Sequence, residues 1–109
     1  MIVEYIRYRI PEDQGDAFED AYRRAGASLE ASPHCERYEI AHCSDDPRAY
    51  TVRIEWDSAE GHMTGFRNSP EFRTFFAAVQ PFVGQIEEMR HYDVVASGSE
   101  EASAHARGS

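Results

Sequence analysis

The run from Ala49 to Asp57 constrains this chain more than any other segment. Tyr50, Val52, Ile54 and Trp56 fall on one parity, and Thr51, Arg53 and Glu55 on the other. Successive side chains of a strand point to opposite sheet faces, so this pattern predicts a strand with one apolar face on a core. The strand runs straight into Glu55–Val83, which holds the only Trp, a single His and five of the six Phe. A stretch that aromatic is either dense core or the wall of a pocket for a flat apolar ligand.

The flanking segments complete a pattern. Ile2–Ile10 alternates, with Ile2, Ile6, Tyr8 and Ile10 sharing a face with Glu4, and Val3, Tyr5, Arg7 and Arg9 opposite. Glu12–Ser32 reads as a helix with Phe18, Ala21, Tyr22, Ala25 and Leu29 on one stripe, closed by Ser32-Pro33. His34–Ser44 is a strand, joined to the next by Asp45-Asp46-Pro47-Arg48. A short helix weakened by Gly61 and Gly65 spans Asp57 or Ser58 to Phe66, with Asp57 and Glu60 resembling a capping box. Ser69-Pro70 opens another helix with Phe72, Phe75, Phe76 and Val79 inward, and Pro81 ends or kinks it. Ile86–Val95 is a last strand. The order β-α-β-β-α-β predicts an α+β, ferredoxin-like domain over residues 1–95: an antiparallel sheet with both helices on one face. Residues 96–109 are Ser, Ala, Gly and Glu without periodicity apart from a late His-Ala-Arg, and are expected to form a disordered polar tail.

Composition removes some classes of function. The net charge is −9, with no basic stripe to neutralise phosphates, so neither nucleic acid nor an anionic membrane surface is an expected partner. No apolar run approaches the roughly 20 residues of a membrane span. The alternating, charged N-terminus does not read as a signal peptide, and Cys35 and Cys43 are too few for a disulfide framework, so a cytoplasmic protein is expected. His34-Cys35 and His42-Cys43 look like a repeated metal-binding pair. Eight residues of straight strand separate them by about 26 Å, which prevents a shared ion, and no metal site is expected. The second sheet face, with Val3, Tyr5, Arg53 and Glu55, is too apolar for bare surface and too charged for an interior. A homodimer through that face is expected.

The junction Arg53-Ile54-Glu55-Trp56-Asp57-Ser58, followed by Glu60, His62, Ser69-Pro70-Glu71-Phe72 and Phe75-Phe76, resembles the antibiotic biosynthesis monooxygenase (ABM) domain family of the dimeric α/β-barrel superfamily. The resemblance implies a dimeric α/β barrel with a ligand pocket between helices and sheet. It also implies an oxygenase that uses molecular oxygen on a flat aromatic substrate, a polyketide, quinol or similar, without a cofactor. Tyr22, Trp56, Phe66, Phe72 and Phe76 would be the walls, His62 the proton acceptor, and Tyr8 or Tyr50 the hydrogen-bond donor to a substrate oxygen. Two alternatives stay open: a non-catalytic ligand-binding or stress-linked protein on the same scaffold, and an interaction module. Haem-degrading relatives use an Asn on the first strand, a Trp within the short helix and a His on the next helix. None of the three stands at those places here, so haem chemistry is disfavoured.

Overall fold

Four antiparallel strands form one sheet in the order β2-β3-β1-β4 in the computed structural model, which describes residues 2–98. These strands are β1 (Ile2–Arg9), β2 (Cys35–His42), β3 (Ala49–Trp56) and β4 (Ile86–Asp93). Helix α1 (Gly15–Ala31) links β1 to β2, and a π-helix (Gly61–Phe66) and α2 (Pro70–Val79) link β3 to β4. This is the ferredoxin-like arrangement expected from the element order. From residue 99 onward the expected tail lies outside the described residues.

The sequence periodicities explain which faces are buried. Ile6, Tyr8 and Ile10 of the first strand and its exit meet Tyr50, Val52, Ile54 and Trp56 of β3 beneath Phe18, Ala21, Tyr22, Ala25 and Leu29 of α1. Phe66, Phe75, Val79 and Phe82 close the other half of the core. The Ser69 hydroxyl accepts the Phe72 amide, and Pro70 holds the first helical position of α2.

The boundaries differ from expectation for identifiable reasons. A 3-10 turn, Glu12–Gln14, follows Pro11, so α1 starts at Gly15. At the other end Ser32 is extended, as a residue before proline prefers, and α1 stops at Ala31. Beyond Val79, the Pro81 segment tightens into a 3-10 stretch, Gln80–Gln85. The expected Asp57–Glu60 capping box is corrected. Ser58 Oγ accepts the Gly61 amide at 2.8 Å, while Asp57 Oδ2 lies 3.0 Å from His34 Nδ1. Gly61 and Gly65 are explained by that dyad, because a Cβ at Gly61 would strike Asp57 and one at Gly65 the His34 ring. Both cysteines are free.

Candidate functional site

A cavity of about 210 Å3 opens between α2, the π-helix and the β1–β4 side of the sheet. Its walls are mostly apolar: Ile6, Ile54, Phe66, Phe72, Phe75 and Val79 among them. Phe76, Val83 and Met89 also line it and are exposed, which places the mouth between α2 and β4. An apolar cavity of about 150 Å3 takes a benzene ring, so this one has room for a substituted ring or a fused pair, with larger molecules extending through the mouth.

Of the eight residues singled out from the sequence, the structure brings seven together. Tyr8, Tyr22, Trp56, His62, Phe66, Phe72 and Phe76 all line the cavity. Tyr50 does not, which corrects the expectation that it reaches the ligand. The Phe18 ring packs against both Tyr8 and Tyr50, at 4.8 and 4.7 Å between centroids, and the Tyr50 hydroxyl donates to Glu19 Oε2 at 2.5 Å. Tyr50 instead faces a separate polar hollow with Glu19, Arg23 and His42. Tyr50→Phe is therefore expected to leave ligand binding within about twofold of wild type and to cost about 1 kcal/mol of stability for the lost hydrogen bond. Parallel binding titrations and urea melts measure both quantities, and a tenfold weaker affinity would contradict the placement.

The polar groups gather at two points of the cavity wall. At the first, the hydroxyls of Tyr8 and Tyr22 lie 2.5 Å apart, one donating to the other. Burial raises the Tyr8 phenol to about 12 and pushes Tyr22 well above its ordinary value, so both stay protonated. The pair shares one internal bond and keeps a second O–H hydrogen for a ligand oxygen. At the second point, the Trp56 indole N–H donates to Glu4 Oε1 at 3.1 Å, and that oxygen lies 3.5 Å from His62 Nε2. The His62 ring stacks on Trp56 with centroids 4.3 Å apart, and its Nδ1 is 2.7 Å from His91 Nε2. Cross-strand register makes this possible, since Glu4 and His91 are direct partners on β1 and β4. His62 itself comes from the π-helix, a form that often marks functional positions.

Electrostatics at this end differ from those of an ordinary histidine. Burial, with the charges of His91 and Arg67 beside it, lowers His62 to about 4, so the ring is neutral at physiological pH. Burial also pushes the Glu4 carboxyl up, against the Trp56 hydrogen bond and the charges of His91 and Arg67. The contact between Glu4 and His62 is thus one between a carboxyl and a neutral imidazole. Arg67, at the end of the π-helix, lines the cavity with its guanidinium 5.9 Å from the Phe72 ring centroid. Its buried Nε has no hydrogen-bond partner among the described residues. A buried donor without a partner is costly.

Three functional candidates escaped the sequence reading: Glu4, Arg67 and His91. Glu4 carried a signal, being the lone acid on an otherwise apolar strand face. Glu4, His62 and His91 also form a group whose ligand atoms all lie within 4.8 Å of one another, so they could hold a metal ion. Such an ion would compete with the hydrogen bond between the two imidazoles and would stand near the Arg67 charge.

The His62 environment sets a pH dependence of stability. Its folded value of about 4 lies below the unfolded value of about 6.5, so the unfolded chain binds the extra proton between them. Its contribution is complete above about pH 6.5 and is lost as pH falls toward 4, by at most about 1.4 kcal/mol per pH unit. Glu4 on β1 works in the opposite sense, because stability tied to a raised carboxyl is lost as pH rises through its folded value. His91 on β4 and Arg67 beyond the π-helix are the other ionisable groups facing the ring. Urea midpoints at pH 7 and pH 5 for wild type and His62→Gln isolate the His62 contribution. Wild type is expected to lose more stability than the variant, and parallel losses would contradict this.

The fold has known counterparts. A Bordetella bronchiseptica structure provisionally described as an antibiotic biosynthesis monooxygenase superposes with a TM-score of 0.76 at 20% identity, covering 87% of this chain and 97% of that one. SnoaB, a cofactor-independent oxygenase from Streptomyces nogalater, gives a TM-score of 0.75 at 14% identity, over 91% of this chain and 97% of its own. At these identities the likeness is one of fold. In sequence, the uncharacterized protein YczJ of Bacillus subtilis (strain 168) is 26% identical over 95 residues, which is 87% of this chain and all of YczJ. The family model described as antibiotic biosynthesis monooxygenase matches residues 1–78, from β1 through most of α2, and the chain belongs to that family.

Proposed function

We propose that this protein is a cofactor-independent monooxygenase that oxidises a small phenol, quinol or related flat aromatic with molecular oxygen. The observation that carries the reading is the apolar cavity with its few polar groups gathered at two points of its wall. Cofactor-free oxygenation needs a substrate electron-rich enough to reduce oxygen, which means removing a proton from a phenol or enol. His62, neutral and buried at the wall, accepts that proton. Arg67 and the Tyr8–Tyr22 pair hold the resulting oxyanion, where fixed donors in a dry site act most strongly. The apolar walls exclude water from the carbanion equivalent and the peroxide. For an anthrone the balance is CH2 + O2 → C=O + H2O, with one oxygen atom in the product and one in water. The description of SnoaB as a cofactor-independent oxygenase supports this reading by analogy of fold.

Trp56 provides a direct test. It is the only tryptophan and it forms part of the cavity wall, so its fluorescence reports occupancy. Hydroquinones and anthrones are expected to quench it saturably, in EDTA, with oxygen uptake above the uncatalysed rate. Saturable quenching without uptake would move the protein to the non-catalytic, ligand-binding reading. No quenching by any of them would remove the cavity as the site.

The same proposal includes a homodimer through the open sheet face. There Val3 and Glu55 are already buried within one chain, Arg53 contacts Glu55, and the rings of Tyr5 and Tyr92 meet edge-on at 5.4 Å. A face so ordered, with charges paired in advance, suits a two-fold partner. Sedimentation equilibrium is expected to give twice the chain mass of 12.4 kDa, and a monomer at micromolar concentration would contradict it.

A further inference from the structure

We propose that His91 is the outlet of a proton relay, in which His62 passes protons between the cavity and solvent through its hydrogen bond to His91. The two nitrogens of His62 face different partners. Nε2 lies 3.5 Å from Glu4 Oε1 at the cavity wall, and Nδ1 lies 2.7 Å from His91 Nε2. The His62 side chain is 4% exposed, whereas His91 is exposed on the edge strand β4. One imidazole therefore bridges the apolar cavity wall and the edge strand, so a proton can reach the outside without a water at its Nε2.

The transfer balances simply. In the transferring state both rings are neutral, each with its proton on Nδ1. The substrate O–H bond breaks and its proton binds the His62 Nε2 lone pair. The His62 Nδ1–H bond breaks and that proton binds His91 Nε2. The His91 Nδ1 proton passes to water. One proton has moved from substrate to solvent, and both rings are again neutral with their tautomers exchanged. Running the chain inward, to protonate the hydroxide that leaves when the peroxide collapses, restores the first tautomers. Glu4 is a positioning residue here: held by the Trp56 indole, it sits beside Nε2 and stabilises the transient imidazolium.

The relay takes its purpose from the oxygenase reading, but its hydrogen bond is measurable without turnover. In wild type, NMR of imidazole-labelled protein is expected to show one slowly exchanging ring N–H shared by His62 and His91, absent from His91→Ala. If no such proton exists in wild type, the relay is wrong whatever the enzyme does. In oxygen-uptake assays with EDTA, His91→Ala is expected to lower kcat by about tenfold or more, with KM and Trp56 quenching unchanged. Added imidazole restores kcat in proportion to its concentration. An unchanged kcat, or a loss that imidazole does not rescue, overturns the relay. If wild type shows the shared proton but no uptake, the oxygenase reading fails while the hydrogen-bonded pair stands.

Discussion

His62→Gln is expected to lower oxygen turnover by about 10²- to 10⁴-fold, the usual range for loss of a positioned acid–base group. Glutamine fills much of the same space and keeps a polar tip toward Glu4, so the fold should survive and substrate should still quench Trp56. The effect therefore belongs in kcat. The structure changes the reason for expecting it. An ordinary imidazole would hold a proton near neutrality, whereas burial keeps this one neutral, with a value of about 4. In the proposed reaction His62 accepts a proton transiently, in a ring already bonded to His91. A variant with wild-type kcat would show that another group removes the proton, and Glu4 would be the next to test.

Trp56→Ala is expected to be the most damaging single truncation. The side chain is fully buried, stacks on His62, and packs against Phe66 at 5.0 Å between centroids. Removing a buried Trp costs about 3–5 kcal/mol. Its indole is also a donor to the buried Glu4 carboxyl, and stranding that group adds about 1–3 kcal/mol. Small domains hold about 5–15 kcal/mol in total, so the variant sits near the unfolding threshold, with Tm lower by about 15 °C or more. Trp56→Phe keeps most of the packing but loses the donor and part of the ring, so its cost is smaller than that of the alanine variant, about 1–3 kcal/mol for the lost hydrogen bond plus a minor packing loss. Calorimetry of the two variants separates packing from the hydrogen bond. An alanine variant melting within a few degrees of wild type would contradict the structural role given to Trp56.

The fold was legible because its signals are local. Tyr50–Trp56 alternates, Phe18–Leu29 recurs at helical spacing, and Ser69-Pro70 marks a helix start, so each element announces itself within a few turns. The cavity walls followed, since inward residues of α2 and β3 must face one another in this topology. What could not be read was lateral placement across the sheet. Tyr8 and Tyr50 are cross-strand partners on the same face. Yet Phe18 from α1 packs against both and leaves only Tyr8 on the cavity side. Parity gives the face of a residue but not which helix covers it. His91 was hidden for a related reason, because its meeting with His62 depends on the β1–β4 register and on the path of the π-helix, neither of which is local. The π-helix replaced an expected ordinary turn of helix, and of the two capping candidates, Asp57 and Ser58, it is Ser58 that accepts the Gly61 amide. Arg67 follows Phe66 without any distinguishing local pattern, and only the fold sets it in the cavity wall.

The central claim is that this cavity carries out oxygen chemistry on a flat, electron-rich ring using protein groups alone. The most direct measurement is oxygen uptake by EDTA-treated wild-type protein with a panel of hydroquinones and anthrones, using isotopically labelled oxygen and mass analysis of the product. The account predicts catalysed uptake with at least one substrate and one labelled atom in the oxidised product. Uptake no faster than the uncatalysed background across the panel, or activity that returns only with added metal, would contradict it.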